Sequence, residues 1–365
     1  MKEPLVSIII SAYNHENFIL PCLESIMNQT YSNIELLIYN DGSKDNTHTN
    51  IQMKLEELQQ RFVRVEYVNK ENEGISRNFN LGIKSAIGEY IKTFASDDLL
   101  LPNAIKLLVD SLEKNRDYDI AYGDGYHVYS DSPEITSEHL EEKYRFSNLQ
   151  KYESGNIHRF LFKMLPKMST WTVLFRKKCF EESGYYDEDL LCEDMDLYLR
   201  FSKKYKFLYL KDVLAIHRIH GNNAGLMPSV MLPSMEKMLK KYDETHFFEN
   251  ETYRNDFLKL ILFTERALIE VNYENLKVDN KKVIAWGTGN YYKNNKKNIP
   301  WKIDYFIDSD EVKHYQKMDG KKIYPIQKIL EEDKESIFVL MMSGAVIEIS
   351  DWLDARGFVV KKNYY

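Results

Sequence analysis

The sequence predicts an α/β protein in which a mixed, mostly parallel sheet with flanking helices is followed by a smaller α/β domain. Four strand-like runs, the first of them continuously apolar and rich in β-branched residues, alternate with helix-like segments over the first hundred residues. Each run ends in a polar cluster, as expected where ligands bind beyond the carboxyl ends of parallel strands. A second alternation of short strands and helices begins at Lys281.

The strands of the first sheet can be assigned in chain order. The run "LVSIIISA" is continuously apolar, which is typical of a parallel strand covered on both faces. A helical stretch from Phe18 to Gln29 separates it from "IELLIYNDGS", and "RVEYVN" and "EYIKTFAS" predict the next two strands. The clusters "SAYN", "NDGSKDNT", "NEGISRN" and "SDD" end the four strands in turn, so we expect them at one edge of the sheet.

The remaining pattern predicts three domains or segments. Regularity is lost from Asp124 to Pro166 and resumes with "WTVLFRKKCF". Helical spacing predicts two helices, one through Met231, Met235, Met238 and Tyr242 and one through Leu258, Ile261, Leu262, Leu268 and Ile269. The last part predicts strands at "KVIAWGTGN", "KIDYFIDSD", "SIFVLMMS" and "FVVKKNYY" and helices at "PIQKILEE" and "AVIEISDWLDARG". We therefore expect a first domain at 1–225, a helical linker at 226–280 and a Rossmann-like domain at 281–365.

Composition restricts the class of protein. The 365 residues are 44% hydrophobic and 29% charged, as in ordinary globular proteins, and the net charge of −7 argues against nucleic acid as a partner. Cys22, Cys179 and Cys192 form no close motif, so we expect reduced thiols in a cytoplasmic protein. The N-terminal apolar run is too short for a signal peptide or a membrane span, and any membrane contact is expected to be peripheral.

Polar residues at the strand ends have the chemistry of a nucleotide site. Asp41 at a strand tip can accept a hydrogen bond from the ring N–H of uracil or thymine, and Ser43 can contact ribose or phosphate; a plain Asp-Gly turn is the alternative. Gly74 allows a ligand to approach the backbone, and Arg77 supplies a cation for phosphate. The adjacent carboxylates of Asp97 and Asp98 repel, so solvent, a donor or a cation must compensate.

Taken together, these segments resemble a known family. The stretches "VSIIISAYNHENFILPCLESIMNQTYSNIELLIYNDGSKDNT", "NEGISRNFNLGIKSAIGEYIKTFASDD" and "CEDMDLYLR" look like an inverting family 2 glycosyltransferase with the GT-A fold, over about residues 4–225. The resemblance implies transfer of a hexosyl or N-acetylhexosaminyl group from a UDP-sugar, or secondarily a dTDP-sugar. It implies a saccharide or polyprenyl-diphosphate-linked glycan as acceptor, in bacterial surface polysaccharide synthesis at the inner face of the cytoplasmic membrane.

The resemblance also implies roles for residues at the strand ends. The nucleotide pocket would be lined by Ala12, Tyr13, Asn14 and Glu16, with Asp41 reading the pyrimidine. Asp97 would face the ribose or a metal-bound water. Asp98, taken as an exposed carboxylate at a strand end, would hold Mn²⁺ or Mg²⁺ against the diphosphate. A helix N-cap before "LLLPNAIKLL" is a compatible structural role for either aspartate.

The resemblance assigns the catalytic base to the acidic run "CEDMDLYLR". Asp194 would deprotonate the acceptor hydroxyl, while Glu193 cannot face the same oxygen directly because adjacent helical residues point about 100° apart. Asp196 and Arg200 lie on the same expected helix. Acidic residues are also common at helix starts because they complement the dipole, which is the structural alternative.

Three further groups of residues each have a functional and a structural interpretation. In "AIHRIHGNNAG" the resemblance places His220 near the metal or diphosphate, with a structural histidine as the alternative, and His217 and His220 lack a third soft ligand nearby for zinc. Trp171 and Thr172 correspond to acceptor-side residues, and a buried aromatic is the alternative reading. The Gly-x-Gly of "VIAWGTGNYYKN" and Asp308 lack the third glycine of a dinucleotide motif, which favours a structural or homo-oligomeric role over an NAD or S-adenosylmethionine site.

Two other functions are alternatives to sugar transfer. A nucleotidyltransferase would need a Gly-rich loop with Arg and Lys in the first strand–helix turn, and "SAYNHENF" has neither. A non-catalytic sugar-nucleotide-binding or scaffold protein would bind metal and donor without turnover.

Overall fold

The structure is a computed structural model that divides into two compact units, Met1–Ser234 and Met235–Tyr365. It describes residues 3–130, 132–135, 144–145, 153–163, 170–220, 228–267, 276, 278, 280–343, 346–360 and 362–365. The linker expected at 226–280 contains the division between the two units, and its boundaries stay a prediction.

The first unit alternates strands and helices as the pattern predicts. Its strands are β1 (Val6–Ala12), β2 (Ile34–Asp41), β3 (Arg64–Lys70), β4 (Tyr90–Ala95), β5 (Leu99–Leu100), β6 (Ile120–Tyr129), β7 (Tyr144–Arg145), β8 (Leu174–Arg176) and β9 (Phe207–Ile219). Its helices are α1 (Ile19–Met27), α2 (Thr47–Arg61), α3 (Ile75–Ser85), α4 (Ala104–Lys114), α5 (His158–Lys163), α6 (Lys178–Ser183) and α7 (Glu193–Ser202). A 3₁₀ turn, Thr170–Thr172, precedes β8.

These strands form one mixed sheet in the order β3-β2-β1-β4-β8-β6-β9-β5, with β7 beside β6. The four strands predicted first are parallel, and β8 enters antiparallel between β4 and β6. Ala12 pairs with Asn40, and Ser11 pairs with Ala95, so β1, β2 and β4 end at the same edge. The polar clusters after these strands are therefore neighbours, as predicted.

The core explains the continuous apolar runs. Every residue of β1 and β2 is buried, because helices cover both faces of the sheet. Glu35 places a charge inside this core: its fully buried carboxylate accepts hydrogen bonds from Arg64 at 2.7 Å and from the amides of Ile87 and Gly88 at 2.6 and 3.0 Å. A buried charge is tolerated only with such partners, so this network fixes the amino-terminal edge of the sheet.

A long helix, α8 (Pro228–Glu244), crosses from the first unit into the second, and the second unit continues with α9 (Glu251–Ala267). These are the two predicted helices, although Leu268 and Ile269 lie outside the described residues. Leu258 and Leu262 of α9 belong to the core of the second unit. No helix in the described part of the chain combines the length and the apolar composition that a membrane span requires.

The second unit is a small parallel sheet with one hairpin. Its remaining elements are β10 (Lys282–Trp286), α10 (Asn290–Asn295), β11 (Tyr305–Asp308), β12 (Lys317–Met318), β13 (Lys321–Pro325), β14 (Ile337–Met341) and α11 (Val346–Asp354). The strand order is β12-β13-β11-β10-β14, and only β12 with β13 is antiparallel. The Rossmann-like arrangement expected of this part is thus present.

Two element predictions in this unit are wrong and one element was missed. In its described residues the segment "FVVKKNYY" forms isolated bridges, Val339 with Tyr364 and Val360 with Tyr364, and backbone hydrogen bonds of Asn363 and Tyr365 with β14, in place of a regular strand. The segment "PIQKILEE" forms a 3₁₀ helix, Ile326–Glu331, in place of an α-helix. The hairpin of β12 and β13 was not predicted. Its turn, Asp319-Gly320, has positive φ at both residues and is a strong hairpin signal.

Candidate functional site

The loops after β1 and β2 are held together by direct hydrogen bonds. The Asn14 amide donates to the Ser43 hydroxyl oxygen at 3.0 Å, and the Asn14 side-chain oxygen accepts from the Lys44 amide at 2.8 Å. Glu16 accepts from the Asn46 amide at 2.9 Å. Asn14 has a positive φ of 52°, which an asparagine tolerates at a sharp turn. Tyr13 is left 45% exposed above these loops, while Ala12 is buried at the end of β1.

Asp41 is buried and organises the loop that precedes α3. Its carboxylate accepts from Lys70 Nζ and from the amides of Glu73 and Gly74, each at 2.9 Å. Burial would raise its pKa, but these three hydrogen bonds outweigh burial and lower it. Arg77, expected near phosphate, pairs with Glu73 at 3.2 Å, and its side chain is half exposed.

Asp97 joins two histidines in a group with the spacing of metal ligands. Its Oδ2 lies 3.0 Å from Nε2 of His220 and 3.9 Å from Nε2 of His15. One ligand atom from each residue lies within 4.8 Å of the others. His15 is oriented by a contact of 2.7 Å between its Nδ1 and the Ser96 hydroxyl. Burial by itself would raise the pKa of Asp97. The hydrogen bond from His220 and the neighbouring imidazoles outweigh burial, so the pKa of Asp97 is lowered.

A cavity of about 240 Å³ opens beside this group. It lies beyond the carboxyl ends of β1 and β2, where open α/β sheets bind ligands. His15 and His220 line it together with residues of the two joined loops, namely Asn14, Glu16, Asn17, Phe18 and Asp45.

Asp98 does not lie where the sequence led us to expect it. The expectation of an exposed strand-end carboxylate is wrong, because Asp98 is only 1% exposed. The next two residues form β5, which pairs with β9, and this brings the Arg218 amide to 2.9 Å from Asp98 Oδ1. Burial and the adjacent Asp97 charge raise the pKa of Asp98 well above its usual range. Asp98 is also not part of the group of potential metal ligands around Asp97.

Arg218 is the residue that sequence reasoning missed most completely. It is almost fully buried, donates from Nε to the Asp97 carbonyl at 3.1 Å, and places its guanidinium 4.9 Å from the centre of the Phe18 ring. The two adjacent aspartates are thus compensated differently, Asp97 by His220 and Asp98 by the backbone and charge of Arg218. Only the pairing of β5 with β9 reveals this, and no local sequence signal does.

The predicted acidic pair opens α7. Glu193 is buried, and burial together with the Asp194 charge raises its pKa to about 8. Asp194 is partly buried and accepts from the Met195 amide at 2.7 Å; burial raises its pKa to about 6. Because each charge opposes ionisation of the other, the two carboxyl groups titrate as a coupled pair, and the pKa of Glu193 is raised further than that of Asp194. Asp196 is separate: it is fully buried and pairs with Arg200 Nε at 2.7 Å.

His217 lies on β9 and His220 directly after its end, and their rings make different close contacts. His217 stacks on Trp171 with ring centres 5.4 Å apart, and its Nδ1 lies 2.9 Å from Nδ1 of His127. Burial lowers the pKa of His217 to about 4. Trp171 and Thr172 are both buried, and the Trp171 ring occupies the space that a side chain at Gly125 would fill. Their acceptor-side role stays a prediction.

Comparison with known proteins identifies the family. The family model described as "Glycosyl transferase family 2" matches residues 7–180. The uncharacterized glycosyltransferase EpsJ of Bacillus subtilis is 30% identical over 247 residues, which cover 65% of this chain and 67% of that protein. An uncharacterized glycosyltransferase of Rickettsia typhi is 29% identical over 291 residues, which cover 78% of this chain and 87% of that protein.

Two solved structures share the fold. S. aureus TarS 1-349 in complex with UDP-GlcNAc matches with a TM-score of 0.53 and 16% identity, over 74% of this chain and 77% of that one. The mannosyltransferase PcManGT from Pyrobaculum calidifontis, in complex with GDP-Man and Mn2+, matches with a TM-score of 0.50 and 15% identity, over 73% and 74%. At these identities the likeness establishes the GT-A fold alone. The chain is a glycosyltransferase and belongs to glycosyltransferase family 2.

Proposed function

We propose that the protein transfers a hexosyl or N-acetylhexosaminyl group from a UDP-sugar to a saccharide hydroxyl, with inversion at the anomeric carbon. The observation that carries the proposal is the group of Asp97, His220 and His15 beside a cavity at the carboxyl edge of the first sheet. Nucleotide sugars are also the ligands named for the two solved structures of the same fold.

The three residues of this group fit a divalent transition metal. They offer two imidazole nitrogens and one carboxylate oxygen, whereas Mg²⁺ takes oxygen ligands almost exclusively. This donor set favours Mn²⁺ over Mg²⁺, in line with the Mn2+ named for PcManGT. When bound, a divalent cation would offset the charge that develops on the leaving diphosphate. Asp98, which accepts from the Arg218 amide, would be a supporting residue beside this group.

We assign the nucleoside to the joined loops after β1 and β2. Tyr13 offers an exposed ring there. Asp41 already holds the loop before α3 through three hydrogen bonds. Two of them end on Oδ1 and one ends on Oδ2. A carboxylate oxygen can accept two, so room remains for the ring N–H of a pyrimidine. Uracil and thymine offer the same ring N–H, so the preference for a UDP-sugar over a dTDP-sugar rests on the family resemblance and on the UDP-GlcNAc named for TarS.

The acid pair at the start of α7 supplies the proposed base. The attacking hydroxyl of the acceptor must lose its proton as it bonds to the anomeric carbon, and Asp194 takes that proton. The pKa of Asp194, about 6, leaves it ionised at neutral pH and strong enough as a base. Glu193, with a pKa of about 8, stays protonated and can donate a hydrogen bond to the acceptor. The proposed acceptor is a saccharide or a lipid-linked glycan, met by peripheral contact with a membrane.

A panel of sugar nucleotides tests this proposal. UDP-, dTDP- and GDP-sugars are incubated with the protein and an oligosaccharide acceptor, with Mn²⁺ or with EDTA, and release of the nucleoside diphosphate is measured. We expect release from at least one UDP-sugar, and a loss of release in EDTA. Undiminished release in EDTA would exclude the metal, and binding without any release would favour a non-catalytic scaffold. Release of pyrophosphate from nucleoside triphosphates would favour a nucleotidyltransferase.

A further inference from the structure

The second unit contains a cavity of about 490 Å³ that the proposed transfer reaction does not use. It lies at the carboxyl ends of β10, β11 and β14. The chain runs from β10 to β11 on one side of β10 and later crosses to β14 on the other side. This reversal is the topological switch point, where open α/β sheets form their ligand crevice. The volume falls within the range of small-molecule sites.

The cavity has one apolar wall and one polar wall. Trp286, Met342, Ile349 and Trp352 form the apolar wall, and the two tryptophan rings meet edge to face at 5.2 Å. The polar wall includes Asp308 and Lys313, whose Oδ2 and Nζ are 3.3 Å apart. An aromatic base suits the first wall, and a ribose and phosphate suit the second.

The Gly-x-Gly turn shapes the entrance of the cavity. Gly287 has a φ of 105°, and a side chain there would come within 2.6 Å of the Met342 carbonyl oxygen, so glycine is required by packing against β14. Thr288 fastens the turn by donating to Asp308 Oδ2 from its amide at 3.0 Å and its hydroxyl at 2.6 Å. Gly289 differs: its φ is −76°, and a side chain there would meet no protein atom within 4 Å. Packing and backbone conformation therefore do not require glycine at position 289, and its missing side chain leaves open space in the lining of the cavity.

The position of the missing third glycine indicates the size of the ligand. Tyr292 stands there, with its ring centre 4.9 Å from that of Phe306 and its hydroxyl 2.6 Å from Asp319. In a dinucleotide-binding motif a glycine at this position lets the helix approach the sheet closely. The tyrosine ring packs against Phe306 of β11 at the position where that glycine would stand, which disfavours a dinucleotide.

We propose that this cavity binds one mononucleotide, with the base against Trp286 and Trp352 and the ribose and phosphate beside Asp308 and Lys313. Hydroxyl groups of the ribose can donate to the carboxylate, and Lys313 is the cation for the phosphate. The ligand site is independent of the first unit and does not rest on the proposed transfer reaction.

Titration of the full chain with AMP, GMP, CMP and UMP, followed by calorimetry, tests the proposal. Gly289→Leu should fill the cavity without strain and weaken binding of at least one of these nucleotides about tenfold or more. Lys313→Ala should weaken the same nucleotide. Lys296→Ala is its matched control, because that lysine pairs with Asp319 at 3.0 Å outside the cavity, and it should bind like the wild type.

Comparison of these variants isolates the second site, since a nucleotide bound to the first unit is unaffected by them. Equal affinities of wild type and Gly289→Leu for all four nucleotides, or no binding at all, would overturn the proposal. Binding of inorganic phosphate but of none of the four nucleotides would also overturn it, because the ligand would then not be a nucleotide. If circular dichroism shows that Gly289→Leu does not fold, the comparison of Lys313→Ala with Lys296→Ala replaces it. Equal nucleotide affinities in these two variants would overturn the proposal.

Discussion

At the residue scale, the first unit holds two pairs of adjacent acids whose surroundings shift the pKa values of the two partners differently. His220 favours the ionised form of Asp97, while burial and the neighbouring charge favour the neutral form of Asp98. At the start of α7, Asp194 is the stronger acid and Glu193 the weaker one. Environments that separate the pKa values of two carboxyl groups are a means of assigning different roles to them.

The first prediction concerns the base. Asp194→Asn keeps the shape of the side chain but cannot accept the proton, so the transfer rate should fall about 10²- to 10⁴-fold while UDP affinity stays nearly unchanged. Glu193→Gln should be milder, because glutamine resembles the protonated acid that is already present. The measurement is the transfer rate of each variant at saturating donor and acceptor.

In the wild type the same rate should fall as the pH drops through about 6, where Asp194 becomes protonated. Asp196→Asn should lower stability more than activity, since Asp196 is paired with Arg200. Near-normal transfer by Asp194→Asn, together with loss of transfer in Glu193→Gln, would assign the base to Glu193 and refute our choice.

A second prediction follows from the raised pKa of Glu193. Its folded-state pKa, about 8, exceeds its ordinary value of 4.5. The folded protein therefore binds more protons than the unfolded chain between these values, and the stability that Glu193 contributes is lost as the pH rises through this window. Glu193→Gln cannot ionise, so it should gain stability over the wild type from pH 5 to pH 9, on the order of a few kcal/mol.

Thermal unfolding of both proteins at pH 5, 7 and 9 measures this difference. Glu56→Gln, an exposed position on α2, serves as the control and should keep a constant difference from the wild type. A Glu193→Gln difference that is equally independent of pH would show that Glu193 does not carry the buried proton.

At the scale of elements, close packing of α3 on β1 positions the loop that Asp41 holds. A side chain at Gly82 would come within 2.3 Å of Ile9 Cγ2, so only glycine allows this approach. We predict that Gly82→Ala destabilises the protein by about 1–3 kcal/mol, as overpacking of a core does. Leu81→Ala is the control at the neighbouring position, where the side chain is partly exposed and should cost less. Chemical denaturation measures both, and a smaller loss in Gly82→Ala than in Leu81→Ala would contradict the packing argument.

The elements also show how far sequence reasoning reaches. β1 and β2 were predictable because apolar runs of this kind are typical of strands buried on both faces, whereas β3 and β4 have mixed sequences and were predictable from their alternation with helices. The C-terminal strand was predicted wrongly, since Tyr364 and Tyr365 are buried by packing on β14 and not by strand pairing along the whole segment. The β12–β13 hairpin carried a readable Asp-Gly signal that was overlooked.

The site was only partly predictable for a different reason. Asp97, Asp194, Glu193 and His220 lie in motifs, and the resemblance assigned them roles that stay predictions. His15 and Arg218 were missed because their roles depend on contacts between β1, β4 and β9, which lie more than 80 residues apart in the chain. The exposure of Asp98 was misjudged for the same reason, since the pairing of β5 with β9 buries it.

At the scale of the whole molecule, the division into two units suggests which part carries the transfer reaction. All the residues of the proposed donor and base sites lie before Ser234. Leu258 and Leu262 of α9 belong to the core of the second unit, so a truncation after Asn280 would expose them. We predict that a chain ending at Asn250 retains UDP binding and sugar transfer. Calorimetry and the transfer assay on this shortened chain test the prediction, and a folded product that binds UDP but transfers no sugar would contradict it.

The measurement that tests the central claim most directly is a calorimetric titration of UDP with and without Mn²⁺, on the wild type, Asp97→Asn and Asp98→Asn. Both substitutions replace a buried carboxyl group by an amide of the same shape, but only Asp97 lies with His15 and His220. We predict that Mn²⁺ raises UDP affinity about tenfold or more in the wild type and in Asp98→Asn, and that this gain disappears in Asp97→Asn. A gain that persists in Asp97→Asn and disappears in Asp98→Asn would contradict the assignment and restore Asp98 as the metal ligand.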